Sequence, residues 1–207
     1  MDAILITHEH SDHICGLVSM AKKFRIPVYL TERTAPTIDW CGVDVHLHQF
    51  QAGSCFPLGD FAVCSFTIPH DAVDPVGYAL TAEGIKVSIV TDLGYVPDSI
   101  KIHLKGTNLL LLESNHDLGM LKDGPYPWSV KQRVMSRRGH LSNEVVADFI
   151  RDDLDGTVTT LILGHLSEHN NHPELVRHSA MDALHGRSLF TQLFVAEPGL
   201  QSEVFSY

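Results

Sequence analysis

Seven residues near the start of the chain, Thr7-His8-Glu9-His10-Ser11-Asp12-His13, concentrate side chains that bind metal. His8, His10, Asp12 and His13 offer imidazole nitrogen or carboxylate oxygen, donors that suit Zn²⁺ or Mn²⁺ and also admit Fe²⁺. They follow an apolar run, Ala3–Thr7, that reads as a buried strand. An extended backbone turns His8 and His10 to one side, and Asp12 and His13 then enter a helix. One strand end can therefore feed two divalent cations about 3.5–4 Å apart, the spacing of hydrolytic sites that activate water.

The rest of the composition fits that chemistry and excludes others. The chain has 207 residues, 14 of them histidine, and a formal net charge of −10. That length suits one domain, 1–207. So acidic a chain argues against broad wrapping of nucleic acid and leaves only a local basic patch. No apolar run approaches the roughly 20 residues of a membrane-spanning helix, and the first residues do not read as a signal peptide. Cys15, Cys41, Cys55 and Cys64 form no C-x-x-C pair. They read as reduced thiols of a cytoplasmic protein.

Strands and helices alternate around the histidines. His13–Phe24 has the apolar spacing of an amphipathic helix, with Ile14, Leu17, Val18 and Ala21 on one face. Pro27–Leu30, Val45–Phe50, Phe61–Pro69, Val76–Thr81 and Lys86–Thr91 read as strands, with Thr34–Asp39 a helical turn. Gly59-Asp60 and Glu83-Gly84 are turns between them, the second a hairpin. Asn108–Glu113 and Val158–Gly164 read as buried strands. Pro127–Arg138, Ser142–Leu154 (capped by Ser142) and Pro173–Leu184 read as helices. Leu189–Ala196 is the last strand.

The seven-residue motif resembles the H-x-H-x-D-H signature of the metallo-β-lactamase fold superfamily, an α/β fold (α+β) in which two β-sheets stack between helices. The resemblance implies a dinuclear site completed by a His, an Asp and a last His at strand ends. His70, Asp92 and His165 stand at such ends. By this likeness His8, His10 and His70 bind one metal; Asp12, His13 and His165 bind the other; Asp92 bridges. An oxygen ligand at that bridging position disfavours antibiotic hydrolysis.

Four further stretches resemble the YycJ/WalJ branch of this superfamily, described as 5′→3′ DNA exonucleases linked to mismatch repair. They are Glu113-Ser114-Asn115-His116-Asp117, Pro125-Tyr126-Pro127-Trp128, Gly139-His140-Leu141-Ser142-Asn143, and Gly164-His165-Leu166-Ser167 with Asn170-Asn171. Their layout is also similar to tRNA-processing ribonucleases. The likeness implies that Glu113 pairs with His140 and that His140 protonates the leaving oxygen. It counts Asp12, Glu113 and His140 as catalytic. A carboxylate-held imidazole stays charged near neutral pH, as that task requires. Two alternatives stay open for His140: a plain helix-entry residue, or the last ligand in place of His165.

Asn115, His116, Lys131, Arg137, Arg138 and Asn143 are candidates for substrate binding. His116 reads equally as a phosphate contact or a solvated side chain. Lys131 to Arg138 holds four cations and no acid, which reads as a solvated helix face or as a clamp on the nucleic-acid backbone. Tyr126 and Trp128 could stack bases, although burial in the core is the first reading of Trp128. His46, His48, His103, His169, His172, His178 and His185 read as surface or packing residues.

A metal-dependent phosphodiesterase acting on nucleic acid, most simply DNA, follows from these readings. A hydrolase of small esters, thioesters or cyclic nucleotides is the alternative within the fold. An inactive fragment is the alternative outside it, because the resemblance places several strands ahead of the H-x-H-x-D-H loop, whereas His8 is here nearly first. Oligomeric state is not legible.

Overall fold

The structure, a computed structural model, describes residues 2–187 and 190–207. Met1, Ser188 and Leu189 lie outside the described residues, and with them the first residue of the expected domain and the expected start of the last strand. Three strands, β1 (Ile4–Leu5), β2 (Val28–Thr31) and β3 (Leu47–Phe50), form a small sheet that is parallel throughout. A larger sheet contains β4 (Cys55–Leu58), β5 (Phe61–Thr67), β6 (Val76–Ala82), β7 (Ile85–Val90), β8 (Leu109–Glu113), β9 (Thr160–Gly164) and β10 (Gln192–Val195). Its strands lie side by side in chain order, antiparallel from β4 to β7 and parallel from β7 to β10.

Strand alternation sorts the apolar residues into three layers. In β2, Val28 and Leu30 face α2 (Leu17–Phe24), which buries Leu17 and Ala21 against them. Tyr29, between them, points the other way and meets Phe50, Val63, Val76 and Tyr78 in the space between the sheets. In β6, Val76, Tyr78 and Leu80 face that space, while Ala79 faces the far side. There Leu110, Leu112, Leu161 and Leu163 of β8 and β9 pack on three helices. These are α3 (Asp98–Leu104), α6 (Asn143–Asp152) and α7 (Pro173–His185). Helix, sheet, sheet and helix follow in that order, as the resemblance implies.

Several boundaries move for local reasons. The helix expected over His13–Phe24 breaks at Cys15-Gly16 into α1 (Ser11–Ile14) and α2. The one expected over Pro127–Arg138 stops early, as α5 (Trp128–Val134). α3, α4 (Leu118–Asp123) and β4 have no counterpart in the sequence reading. Pro57 disguises β4, but β4 is an edge strand, where a missing amide donor does no harm. Ser142 caps α6 by accepting from the Val145 amide at 3.3 Å, and Pro173 opens α7. Glu83 and Gly84 both have positive φ and close the β6–β7 hairpin.

β4 also corrects the cysteine reading. It pairs with β5 so that Cys55 lies directly opposite Cys64, with Cα atoms 4.0 Å apart, and the two are disulfide-bonded. Cys15 and Cys41 are free and exposed.

Candidate metal centre

The histidine loop leaves β1 and is fastened at once to the larger sheet. Tyr78 Oη donates to the Ile6 carbonyl at 2.6 Å, the Val76 amide donates to the Thr7 carbonyl at 3.0 Å, and the Val73 amide donates to Glu9 Oε1 at 2.8 Å. Glu9 is thus a fastener of the loop. Thr7 Oγ1 lies 3.1 Å from His8 Nδ1 and 3.2 Å from His13 Nδ1. With Nδ1 engaged, both rings leave Nε2 free, and both Nε2 atoms are buried without a hydrogen-bond partner among the described residues.

The larger sheet supplies the other wall from the ends of β5, β7, β8 and β9. His70 follows β5, with Nδ1 3.3 Å from the Gly139 carbonyl and Nε2 3.2 Å from His10 Nδ1. Asp92 follows β7 and His165 follows β9. Both adopt left-handed backbone, φ 62° and 56°, uncommon for non-glycine residues though Asp and His tolerate it better than most. The buried Asp92 carboxylate reaches every neighbour: 3.2 Å to His13 Nε2, 3.5 Å to His165 Nε2, and 3.8 Å to His70 Nε2 and to His140 Nδ1. Asp12 Oδ2 lies 3.5 Å from both His13 Nε2 and His165 Nε2.

Ligand atoms therefore gather in sets. His8, His10 and His70 form one, and Asp12, His13 and His165 another; His8 and His13 also converge on Asp92. Within each set the atoms lie within 4.8 Å of one another. His13 Nε2 and Asp92 Oδ2 sit 3.2 Å apart yet lack hydrogen-bond geometry. Polar atoms buried without partners are costly. Such atoms converging from imidazole and carboxylate fit divalent cations.

Glu113, fully buried at the end of β8, organises this wall. Its Oε2 accepts from His165 Nδ1 at 2.7 Å and from His140 Nδ1 at 2.8 Å, and its Oε1 accepts from the Leu141 amide at 2.8 Å. The amides of Asp92 and Leu93 point at the same carboxylate, at 3.2 and 3.3 Å. Sequence reasoning paired Glu113 with His140 alone; the contact with His165 depends on β8 and β9 lying side by side.

Electrostatics divide the imidazoles. Burial, helped by the neighbouring imidazoles, pushes His8 down to about 3 despite Asp92. Burial likewise lowers His70. Neutral rings are what ligation requires. At His165 burial opposes the charge, but the Glu113 hydrogen bond and the charges of Glu113, Asp92 and Asp12 prevail and push it up to about 9. His140 is raised on the same balance. Carboxylates that hold a proton on His165 Nε2 equally attract a divalent cation there.

The substrate candidates are distributed differently from the sequence reading. Lys131 is buried, and its ammonium donates to the Lys122 and Gly124 carbonyls at 2.6 and 2.7 Å, which occupies it at the end of α4. Asn143 is buried in a network with Ser114 and Asn171. Asn115 is buried and donates to the His165 carbonyl at 3.0 Å. His116 is buried, not solvated. These four brace the loops of the site. Arg138 donates twice to the His70 carbonyl, at 3.1 and 3.0 Å, and the exposed Arg137 lies over the Tyr95 ring at 4.1 Å. The basic run is thus four separately engaged cations rather than one solvated helix face. Trp128 is 62% exposed, which corrects its expected burial.

Asp71 was missed. It pairs with Arg133, and its buried Oδ1 lies 3.5 Å from His70 Nε2. Its only sequence signal was its place next to His70. Among the remaining histidines, His48 stacks on Tyr29, His103 stacks on Phe66, His172 caps α7 and His178 pairs with Asp182.

Comparison with known proteins agrees with the fold. A family model described as the beta-lactamase superfamily domain matches residues 1–165. Exodeoxyribonuclease YycJ of Bacillus anthracis is 41% identical over 187 residues, covering 89% of this chain and 71% of that protein. Exodeoxyribonuclease WalJ of Streptococcus pneumoniae is 38% identical over 189 residues, covering 89% of this chain and 70% of that protein. The solved metallo-beta-lactamase fold protein YhfI of Bacillus subtilis superposes with a TM-score of 0.72 at 20% identity, over 97% of this chain and 76% of that one. The chain belongs to the metallo-β-lactamase fold superfamily, among the relatives of the YycJ and WalJ exodeoxyribonucleases.

Proposed function

We propose that this protein is a dinuclear metal-dependent phosphodiesterase that cleaves nucleic acid, DNA in the first instance, as a 5′→3′ exonuclease. One observation carries the reading: two three-ligand groups flank the Asp92 carboxylate, with a carboxylate-held imidazole, His140, beside them. His8, His10 and His70 would hold one cation, Asp12, His13 and His165 the other, and Asp92 both. Zn²⁺ and Mn²⁺ suit these donors, and Fe²⁺ is compatible. Bound cations supply Lewis-acid polarisation of the phosphate and an acidified water.

The protein's own residues supply the rest. Glu113 fixes Nδ1–H of both His140 and His165, so each ring presents Nε2. The charge of Glu113 keeps His140 protonated, and Nε2–H passes its proton to the leaving oxygen as the P–O bond breaks. Arg137, exposed, offers positive charge in an otherwise acidic chain. Two relatives named exodeoxyribonuclease, at about 40% identity, support a polymeric substrate.

The test is cleavage of 5′- and 3′-labelled DNA and RNA strands with added Mn²⁺ or Zn²⁺. The purified chain is expected to shorten DNA from its 5′ end, and Asp92→Ala to abolish cleavage. Undiminished cleavage by Asp92→Ala sinks the site assignment. Turnover of a small chromogenic phosphodiester without any strand cleavage sinks the nucleic-acid reading.

A further inference from the structure

The sequence Pro125-Tyr126-Pro127-Trp128 does nothing for the metal ligands, yet it is held in place with care. Trp128 begins α5 at 62% exposure, and Val130 beside it is 37% exposed. Pro127 stands immediately before α5 with φ −55° and ψ 150°, within the narrow φ range its ring allows. One turn further on, the buried Lys131 ammonium ties α5 to the carbonyls that end α4. Tyr126 packs edge-on to His169, with ring centres 6.1 Å apart, which joins this segment to the loop after His165.

A single exposed apolar residue needs no explanation. Trp128 differs because its helix leads to the metal centre. Arg133 on α5 pairs with Asp71, whose other oxygen faces His70. Arg133 lies five positions after Trp128 in the helix, about 7–8 Å along the axis. Beyond α5 the chain places Arg137 on Tyr95, Arg138 on the His70 carbonyl, and then His140. The segment thus has an aromatic face at one end, cations along its course and the proposed acid at the other.

We propose that Trp128 is a stacking platform for an unpaired base of a single-stranded nucleic acid. The strand's backbone passes the exposed Arg137 on its way to His140, since Lys131, Arg133 and Arg138 are engaged within the protein. Tyr126 and His169 buttress the platform. This proposal rests on the nuclease reading and sharpens it, since a base can reach an indole face only once unpaired and unstacked. The charge of the exposed Arg137 favours a polyanion over a neutral apolar partner, and the flat indole accepts any base. The two prolines limit the ordering that binding would otherwise require.

The experiment follows Trp128 fluorescence in a Trp40→Phe background, with Mn²⁺ and a phosphorothioate oligothymidylate that resists cleavage. Quenching on binding is expected. Trp128→Ala should weaken binding roughly tenfold, the order of one lost stack, and Trp128→Phe should recover much of it. Ile102→Ala, equally exposed on α3, should change nothing. An abasic oligomer should bind wild type and Trp128→Ala alike. Unchanged affinity in Trp128→Ala, or an equal loss with the abasic oligomer, overturns the platform. Self-association that vanishes in Trp128→Ala while strand affinity stays intact assigns the surface to a second copy and also overturns it. Strand cleavage by wild type alongside either result leaves the nuclease reading standing; absence of strand cleavage defeats both.

Discussion

His165 donates its Nδ1–H to Glu113 Oε2 across 2.7 Å, so the last proposed ligand is oriented by the same buried carboxylate that holds the proposed acid. Ligand and acid therefore cannot be tuned independently. Glu113→Gln exchanges one acceptor oxygen for an amide facing imidazole or backbone N–H. Cation affinity is expected to fall about 10–100-fold, the usual result of losing such a partner. Chelator competition on the purified variant measures it, with circular dichroism to check the fold. Wild-type affinity would show that Glu113 serves His140 alone.

His140→Ala separates proton donation from metal binding. Cleavage of DNA, whose leaving alkoxide needs a proton, should drop by about 10²–10⁴. A nitrophenyl phosphodiester, whose leaving group departs unprotonated, should be affected far less. Two cations per chain by elemental analysis should persist. Loss of one cation would move His140 into the ligand set, the role left open by its sequence.

Two glycines let the arginine loop close over the site. A Cβ on Gly94 would sit 2.3 Å from the Ser136 carbonyl oxygen, and one on Gly139 2.1 Å from that of Val134. Both obstacles are backbone and cannot swing aside. Gly94→Ala and Gly139→Ala should each destabilise the protein by about 1–3 kcal/mol, read from urea unfolding. Gly139→Ala should also slow cleavage, because residue 139 carries both the carbonyl facing His70 and the chain into His140. Unfolding curves that superimpose on wild type would show this loop to be adaptable.

The four cations of the basic run should behave as individuals. Lys131→Met removes a buried ammonium that serves two carbonyls, and should lower stability by about 1–3 kcal/mol without altering how DNA affinity varies with salt. Arg137→Glu should do the reverse, flattening the salt dependence at unchanged stability, since each phosphate contact to a single strand contributes about 0.7 to the slope. A flattened slope in Lys131→Met would return that residue to the substrate.

Thiol titration checks the cross-strand bond. Under denaturing conditions without reductant, two thiols per chain should react, Cys15 and Cys41, and after reduction four. Four before reduction would restore the reading of the cysteines as free.

The gathering of the proposed ligands was legible because the motif at residues 7–13 is local and because His70, Asp92 and His165 each close a run with a strand's pattern. The left-handed backbone at Asp92 and His165 was not, since the enrichment of Asp and His in that region is too weak to mark particular positions. Asp71, the second partner of Glu113 and the burial of Lys131 were hidden for a different reason. Each depends on which loops meet across the sheet, and sequence spacing carries no such information. Trp128 erred in the opposite direction: its size argued for the core, while its neighbours hold it outside.

The proposed ligands come from both sides of the junction between the sheets. His8, His10, Asp12 and His13 hang from the small sheet, and His70, Asp92 and His165 from the large one. Cations held by both sets would act as rivets between two slabs that otherwise meet through apolar packing and a few hydrogen bonds. Binding and sheet docking would then be one equilibrium. Metal removal should be felt first as faster amide exchange in β1 to β3, and any residue that loosens Tyr29 against Phe56 should weaken cation retention without touching a ligand.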